Sequence, residues 1–352
     1  EGNSDRRAAK AVKNFAQKNP HKLRAYAENS KAAVMHMNGK GDFYGNEKSV
    51  TVDKAQKITI ALNGKELKSI DAVENEVLDG TFMSVAALRS FYKQSIEEAK
   101  AKGVIWSLHL KATMMKISDP VMFGHAFEIF FEDVFAKYAS TFKELGVNPN
   151  LGMSDLEKKI KGHPLEAEIK AAFQAVVESD SPKIAMVDSD KGQTNFNASN
   201  DVIIDASMPV VVREGGKQWD RTGAALETLA VIPDSTYGMF HAEMVADCVK
   251  NGQYDVSTMG TMQNVGLMAQ KAEEYGSHPT TFVLEEAGTV TVTAADGSTT
   301  LTLNFGGSGF FSRFRIYKND VEQYNLDGYA AAMMTMGGMT LVPTDYWRVE
   351  LS

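Results

Sequence analysis

The sequence has little cysteine and no long apolar run. One cysteine among 352 residues, Cys248, excludes an internal disulfide framework and a zinc site built from cysteines, and we interpret it as a buried structural thiol on a predicted helix. No apolar stretch approaches the roughly 18 residues that a membrane helix needs. The first residues also lack the charged-then-apolar pattern of a signal peptide. These absences predict a cytoplasmic protein with no membrane partner.

Excess positive charge and the common short catalytic motifs are absent too. The formal net charge is −8 and no basic stripe alternates with aromatic residues, so nucleic acid is not an expected partner. The sequence contains no P-loop, no Gly-x-Gly-x-x-Gly after a strand, no Gly-x-Ser-x-Gly and no His-Glu-x-x-His. Local motifs therefore leave the activity open.

What the sequence does contain is an alternation of helices and strands. Apolar positions recur at helical spacing from Val85 to Lys102, and Gly103 follows where a helix end favours left-handed geometry. A compact strand at 104–110 and a long helix from about 120 to 145 come next, with Asp119-Pro120 as the cap and first-turn proline of that helix. This order is typical of an α/β sheet.

The second half of the chain repeats the pattern. Helices are predicted at 154–179, 237–250 and 264–274, and strands at 183–187 and 201–204. With 43% hydrophobic residues, the chain can bury the core of one large or two moderate domains.

Two β-hairpins interrupt this alternation. Residues from Lys57 to Leu62 alternate with period two and meet Asn63-Gly64, a dipeptide that tolerates the positive φ angles of a tight turn, and the return strand is 65–70. A second hairpin spans 289–303 and turns at Asp296-Gly297. We interpret the second one as a peripheral ribbon.

These elements together predict an α/β protein of two similar lobes with a peripheral β-hairpin. The first lobe is expected at 1–150 and the second at 151–303. Residues 304–352 are Gly-rich and then aromatic and Met-rich, and they form a divergent tail to which the sequence assigns no structure.

Acidic residues that follow strands are natural metal ligands in an α/β protein, because sites form beyond the carboxyl ends of the strands. Asp201 and Asp205 lie at the start and end of an apolar run, and Asp205 falls at the strand exit before Pro209. Spacing alone favours a capping or surface aspartate and leaves a metal ligand as the alternative. Asp188-Ser-Asp190 lacks the remaining ligands of a calcium loop, so calcium is not expected.

Three further residues have both a catalytic and an ordinary interpretation. Lys116 follows a strand beside two methionines, where desolvation could lower its pKa toward general-base use, but local features favour a solvated lysine. Tyr275 could donate a proton beside a cation, or could simply end an amphipathic helix. Arg6 could grip a carboxylate as a bidentate fork, or could be an exposed terminal arginine.

Five segments of the sequence, in this order and spacing, resemble the monomeric isocitrate dehydrogenase family. They are Glu1-Gly-Asn-Ser-Asp-Arg-Arg7, Gly41-Asp-Phe-Tyr-Gly45, Leu108-His-Leu-Lys-Ala-Thr-Met-Met-Lys-Ile-Ser-Asp-Pro120, Asp201-Val-Ile-Ile-Asp-Ala-Ser-Met-Pro209 and Asn264-Val-Gly-Leu-Met-Ala-Gln-Lys-Ala-Glu-Glu-Tyr-Gly-Ser-His278. The resemblance runs from Glu1 to about Leu303 and fades beyond it.

The resemblance implies an enzyme that oxidises isocitrate with NADP and Mg²⁺ or Mn²⁺ and releases carbon dioxide to give 2-oxoglutarate. It implies that Lys116 and Tyr275 are the catalytic proton-handling pair, that Arg6 binds a substrate carboxylate and that Asp205 is a metal ligand. Asp201 is the alternative ligand, since an offset of four residues would exchange the two. The family also implies a cytoplasmic monomer.

The resemblance leaves parts of the family's site unaccounted for. The upstream small-domain segment and the later region with the partner aspartates and most NADP contacts are not matched, so we expect a partial enzyme. The alternative is a non-catalytic truncated or degenerate fragment that binds at most a tricarboxylate. A second polypeptide that supplies the missing regions would distinguish the two.

Overall fold

A computed structural model of the chain describes residues 18–19, 23–111, 118–179, 182–255, 280–284, 287–297, 300–307, 309–318, 321–322 and 347–350. The α-helices of these residues are, in chain order, α1 (Phe43–Asn46), α2 (Val85–Lys102), α3 (Ser118–Phe130), α4 (Glu132–Lys137), α5 (Ala139–Glu144), α6 (Gly152–Ile160), α7 (Glu166–Glu178), α8 (Ile204–Arg213) and α9 (Ser235–Asn251). Short 3₁₀ helices lie at Pro149–Leu151 and Ser199–Val202. None of the helices in these ranges is both long and apolar enough to cross a membrane.

The strands of the described residues are, in chain order, β1 (Ala33–Met35), β2 (Lys48–Thr51), β3 (Gln56–Leu62), β4 (Lys65–Ala72), β5 (Val77–Ser84), β6 (Ile105–Leu108), β7 (Lys183–Ile184), β8 (Met186–Asp188), β9 (Gln193–Thr194), β10 (Lys217–Trp219), β11 (Ala225–Val231), β12 (Thr280–Leu284), β13 (Gly288–Ala294), β14 (Thr300–Phe305), β15 (Gly309–Lys318), β16 (Val321–Glu322) and β17 (Trp347–Glu350).

The chain forms two compact units that are discontinuous in sequence. We call them the β unit (the described residues of 1–22, 41–85 and 255–352) and the α/β unit (the described residues of 23–40 and 86–254). The lobes predicted along the chain, with boundaries at residues 150 and 303, stay a prediction.

The α/β unit is built on a parallel sheet in the order β1-β11-β6-β7, with β10 antiparallel to the first residues of β11. All four residues of β6 are buried, as in a strand covered on both faces by other elements. The predicted mixed α/β architecture with a parallel sheet and helices is therefore confirmed.

Aromatic side chains fill the core beside β6. Phe196 is completely buried, and its ring lies 5.4 to 5.8 Å from those of Trp106, Phe123, Phe127, Phe130 and Phe131. The Trp106 indole N–H donates to Ser95 Oγ at 2.8 Å, which satisfies its polar group inside this cluster. The core thus holds β6 firmly against α2 and α3.

The β unit contains two antiparallel sheets that share one apolar core. One sheet has the order β12-β15-β5-β2, and the other has the order β14-β13-β3-β4. Alternate residues of β13, including Val290 and Val292, point into the core. The hairpin predicted at 57–70 is confirmed: β3 pairs with β4, and Asn63 and Gly64 have φ angles of 48° and 82°.

Some boundaries differ from those predicted. The helix expected at 120–145 is three helices, because the backbone leaves helical angles at Phe131 (φ −110°, ψ 33°) and Tyr138 (φ −107°, ψ 20°). The helix expected at 154–179 is broken between α6 and α7, where Gly162 has a φ of 80° and Pro164 follows. The strand expected at 183–187 divides into β7 and β8.

The prediction of a strand at 201–204 is wrong. Residues 199–202 form a 3₁₀ helix and α8 begins at Ile204. The buried residues Ile204, Met208, Val211 and Val212 recur at helical spacing, so the apolar run belongs to the buried face of a helix. A single parallel bridge between Leu110 and Ile203 is the one strand-like contact described there.

Candidate active site

Polar side chains collect beyond the carboxyl ends of β1, β6 and β11 in the α/β unit. His36 follows β1, His109 and Lys111 follow β6, and Asp234 follows β11. Because these strands are parallel and adjacent, the residues that follow them meet at one edge of the sheet. The first turns of α8 and α9 reach the same edge and add Asp205 and Tyr237.

An ion pair lies at the centre of this edge. The Lys111 ammonium donates to Asp205 Oδ2, and it lies 5.9 Å from the centroid of the Tyr237 ring. The Lys111 side chain is 4% exposed, whereas that of Asp205 is 46% exposed. The cation is therefore inside the protein and the carboxylate is half open to solvent.

His109 links β6 to α8 behind the ion pair. Its Nε2 lies 2.9 Å from Ser107 Oγ and its Nδ1 lies 2.7 Å from Ser207 Oγ. Complete burial is the main cause that lowers the pKa of His109 to about 3, so the ring is neutral. A neutral imidazole with a hydroxyl at each nitrogen fixes the first turn of α8, and with it the backbone of Asp205.

His241 lies close to both members of the ion pair. Its Nδ1 donates to the carbonyl oxygen of Tyr237 at 2.9 Å, since a carbonyl can only accept. Burial lowers the pKa of His241, and Lys111 lowers it further, against the opposite effects of the Tyr237 carbonyl and the Asp205 carboxylate. The neutral ring with its proton on Nδ1 is therefore favoured.

Asp119 is a buried carboxyl group in the first turn of α3. It was predicted to cap this helix, but the helix begins one residue earlier, at Ser118. Within the described ranges neither of its oxygens accepts a hydrogen bond. Burial, and then the charge of Asp234, raise the pKa of Asp119 well above its ordinary value, and the charge of Lys111 opposes this rise. The neutral acid is the favoured form.

The start of α9 is fixed to the end of β1. Asp234 accepts from the backbone N–H of Thr236 at 3.3 Å, and Ser235 Oγ accepts from the Gly39 N–H at 2.9 Å. His36 packs against Gly238 so closely that a Cβ there would lie 2.3 Å from His36 Cβ. Only glycine allows this approach.

The predicted site residues are described to different extents. Lys116, Tyr275 and Arg6 lie outside the described residues. Asp201 lies in the 3₁₀ helix at 199–202, and Asp205 occupies the sheet edge.

The sequence did not identify Lys111, His109, Asp119 or His241 as site residues. The available signal was the alternation His-Leu-Lys directly after a buried strand.

Asp205 has the chemistry of a ligand for a hard divalent cation, since such ions bind carboxylate oxygens. Among the described residues, no group of three or more histidine, cysteine or acidic side chains is arranged to hold a metal ion. The described residues at this edge therefore offer one carboxylate, that of Asp205, to a metal ion.

Comparisons with known proteins give the family of this chain. The family model described as monomeric isocitrate dehydrogenase matches residues 1–324, which extends the resemblance beyond the expected limit at Leu303. Isocitrate dehydrogenase [NADP] 2 of Colwellia maris is 44% identical over 99% of this chain and 47% of its own length. Isocitrate dehydrogenase [NADP] of Azotobacter vinelandii is 47% identical over 84% of this chain and 41% of its own.

A solved structure is also similar, but weakly. The crystal structure of isocitrate dehydrogenase from Ostreococcus tauri in complex with isocitrate and magnesium(II) matches 83% of this chain and 56% of its own at 11% identity. The TM-score of this match is 0.31. The chain spans about half the length of the curated relatives it matches. On the family match and these identities, this chain belongs to the monomeric isocitrate dehydrogenase family.

Proposed function

We propose that this chain contributes to an NADP-dependent isocitrate dehydrogenase. The reaction is the oxidation of the isocitrate hydroxyl by hydride transfer to NADP, followed by loss of carbon dioxide to give 2-oxoglutarate. Family membership and relatives named for this activity support the proposal. The observation that carries it is the half-exposed Asp205 carboxylate at the carboxyl edge of a parallel sheet, where α/β proteins place their sites.

Each proposed residue role has a physical reason. Asp205 offers oxygen to Mg²⁺ or Mn²⁺, and when bound that ion would polarise the substrate oxygens and stabilise negative charge that develops during decarboxylation. Lys116 and Tyr275 hold and move protons at the reacting atoms, and Arg6 grips a substrate carboxylate with two parallel hydrogen bonds. Asp201 is the alternative metal ligand.

Neutral neighbours of Asp205 favour a cation at its exposed side. Burial favours the neutral forms of His109 and His241, and burial also favours the neutral acid of Asp119. Lys111 contacts Asp205 in an ion pair. The outer side of the carboxylate is where a metal and a polyanionic substrate would approach. Two lobes, a monomeric state and a cytoplasmic location complete the proposal.

Isothermal titration with isocitrate tests the site before turnover is measured. The purified chain should bind isocitrate only in the presence of Mg²⁺ or Mn²⁺, Asp205→Asn should abolish this binding and the matched control Asp201→Asn should keep it. Loss in Asp201→Asn alone would move the metal ligand to Asp201, and no binding under any condition would contradict a site on this chain.

NADPH formation by the same samples separates the two functions considered. Turnover supports a dehydrogenase. Metal-dependent binding without turnover supports the alternative, a fragment that binds the tricarboxylate and does not catalyse.

A further inference from the structure

We propose that Lys111 is a positioning residue for Asp205. The Lys111 ammonium is the counter-cation of the Asp205 carboxylate, and it lowers the affinity of this carboxylate for a divalent metal. The inference rests on the proposed function, which makes Asp205 a metal ligand, and it adds a residue to that site. Its geometric basis is the ion pair and the backbone that holds it.

The two partners are fixed by the main chain on both sides of the contact. The Leu110 N–H donates to the Val202 carbonyl at 2.8 Å, and the Ile204 N–H donates to the Leu110 carbonyl at 2.7 Å. Lys111 and Asp205 are the next residues along these two segments. The ion pair is therefore a consequence of how α8 joins the end of β6.

Burial makes the pair asymmetric. The Lys111 side chain is almost completely buried, and a buried ammonium is unfavourable unless a carboxylate or other acceptor contacts it. Asp205 supplies that contact through Oδ2, and the Tyr237 ring adds a weaker cation–π contact. Lys111 thus holds Oδ2 on the inner side of the carboxylate, and a metal would approach the exposed side.

A fixed ammonium next to a metal ligand has a predictable electrostatic effect. It neutralises part of the charge of the carboxylate and repels a dication bound to the same group. If Lys111 is replaced by an uncharged side chain of similar length, the affinity for the metal should rise. We expect a gain of about tenfold, since the site is half exposed and the repulsion is partly screened by water.

The sign of this effect distinguishes positioning by charge from a merely structural role. A structural residue can only weaken metal binding when it is removed. The test measures Mn²⁺ affinity from the electron paramagnetic resonance signal of free Mn²⁺ in titrations of the full chain and of Lys111→Met, Lys111→Arg and Asp205→Asn. Lys111→Met should bind Mn²⁺ about tenfold more tightly, and Lys111→Arg, the charge-matched control, should bind within about twofold of the unmodified chain.

Asp205→Asn separates a failure of this inference from a failure of the proposed function. If Asp205→Asn abolishes Mn²⁺ binding but Lys111→Met leaves the affinity unchanged or lower, the metal site stands and the inference about Lys111 is overturned. If Asp205→Asn binds Mn²⁺ like the unmodified chain, or no variant binds it, the metal is not at Asp205 and both are overturned. Lys111→Gln, with circular dichroism to verify folding, replaces Lys111→Met if that variant does not fold.

Discussion

Replacing Phe196 by alanine tests whether the aromatic cluster holds the sheet that carries the site. Phe196 is completely buried, and five aromatic rings surround it at 5.4 to 5.8 Å. Its backbone carbonyl also accepts from the Met153 N–H at 2.6 Å, which connects the cluster to α6. Solvent therefore has no access to the cavity that the alanine substitution would leave.

The expected loss follows from this packing. Removing a buried phenylalanine ring destabilises a protein by about 3 to 5 kcal/mol. Each aromatic pair adds about 0.5 to 1.5 kcal/mol beyond buried area, and the pairs of Phe196 overlap, so we expect the upper part of that range, about 4 to 5 kcal/mol. Phe196→Leu keeps most of the volume and should lose about 1 to 2 kcal/mol.

Urea unfolding followed by tryptophan fluorescence measures this loss, because Trp106 lies in the same cluster, with its ring 5.8 Å from that of Phe196. The matched control is Phe240→Ala, whose side chain is 50% exposed and should change stability by less than about 0.5 kcal/mol. The reasoning would be refuted if Phe196→Ala lost no more free energy of unfolding than Phe240→Ala, with equal slopes in urea.

Two further substitutions test the edge of the sheet. Asp119→Asn should remove a pH dependence of stability. Since the folded pKa of Asp119 lies above the unfolded value of 3.8, the unmodified chain is stabilised below that value and loses this stability as pH rises through the folded pKa. The melting temperature of the variant should therefore rise relative to that of the unmodified chain as pH increases. Gly238→Ala should destabilise the chain by about 1 to 3 kcal/mol, measured by the same urea titration, because its Cβ would lie 2.3 Å from His36 Cβ.

Each of these substitutions has a control and a contradicting result. Asp190→Asn removes an exposed carboxyl and should leave the pH dependence of the melting temperature unchanged. If the melting temperatures of Asp119→Asn and of the unmodified chain changed in parallel with pH, Asp119 would be ionised in the folded state. Gly306→Ala meets no heavy atom within 4 Å and should be neutral. A neutral Gly238→Ala would mean that α9 can move away from the end of β1.

The sequence predicted the elements whose signals are local. Val85–Lys102 is a helix at the expected boundaries, and the Asn63-Gly64 turn has the expected angles, because periodicity and turn chemistry act over a few residues. The run at 201–204 was misassigned because a short apolar segment does not distinguish a strand from a buried helical turn.

The candidate site was predicted only in part for a similar reason. Asp205 was identified from its place after an apolar run and from the family resemblance. The roles of Lys111 and His109 depend on which strands are neighbours, and a partner 94 residues away, as for Lys111 and Asp205, leaves no mark in local spacing. Lys116, Tyr275 and Arg6 stay predictions, because they rest on the resemblance alone.

The parallel pairing of β1 with β11 also bears on synthesis of the chain. The contact between Gly39 and Ser235 that follows these strands joins residues 196 positions apart. At translation rates of about 5 to 20 residues per second, β1 leaves the ribosome roughly 10 to 40 s before the strand beside it. With three residues, β1 offers little edge for wrong pairing during that wait. The α/β unit, including the edge that carries Asp205, therefore cannot close until β11 has left the ribosome.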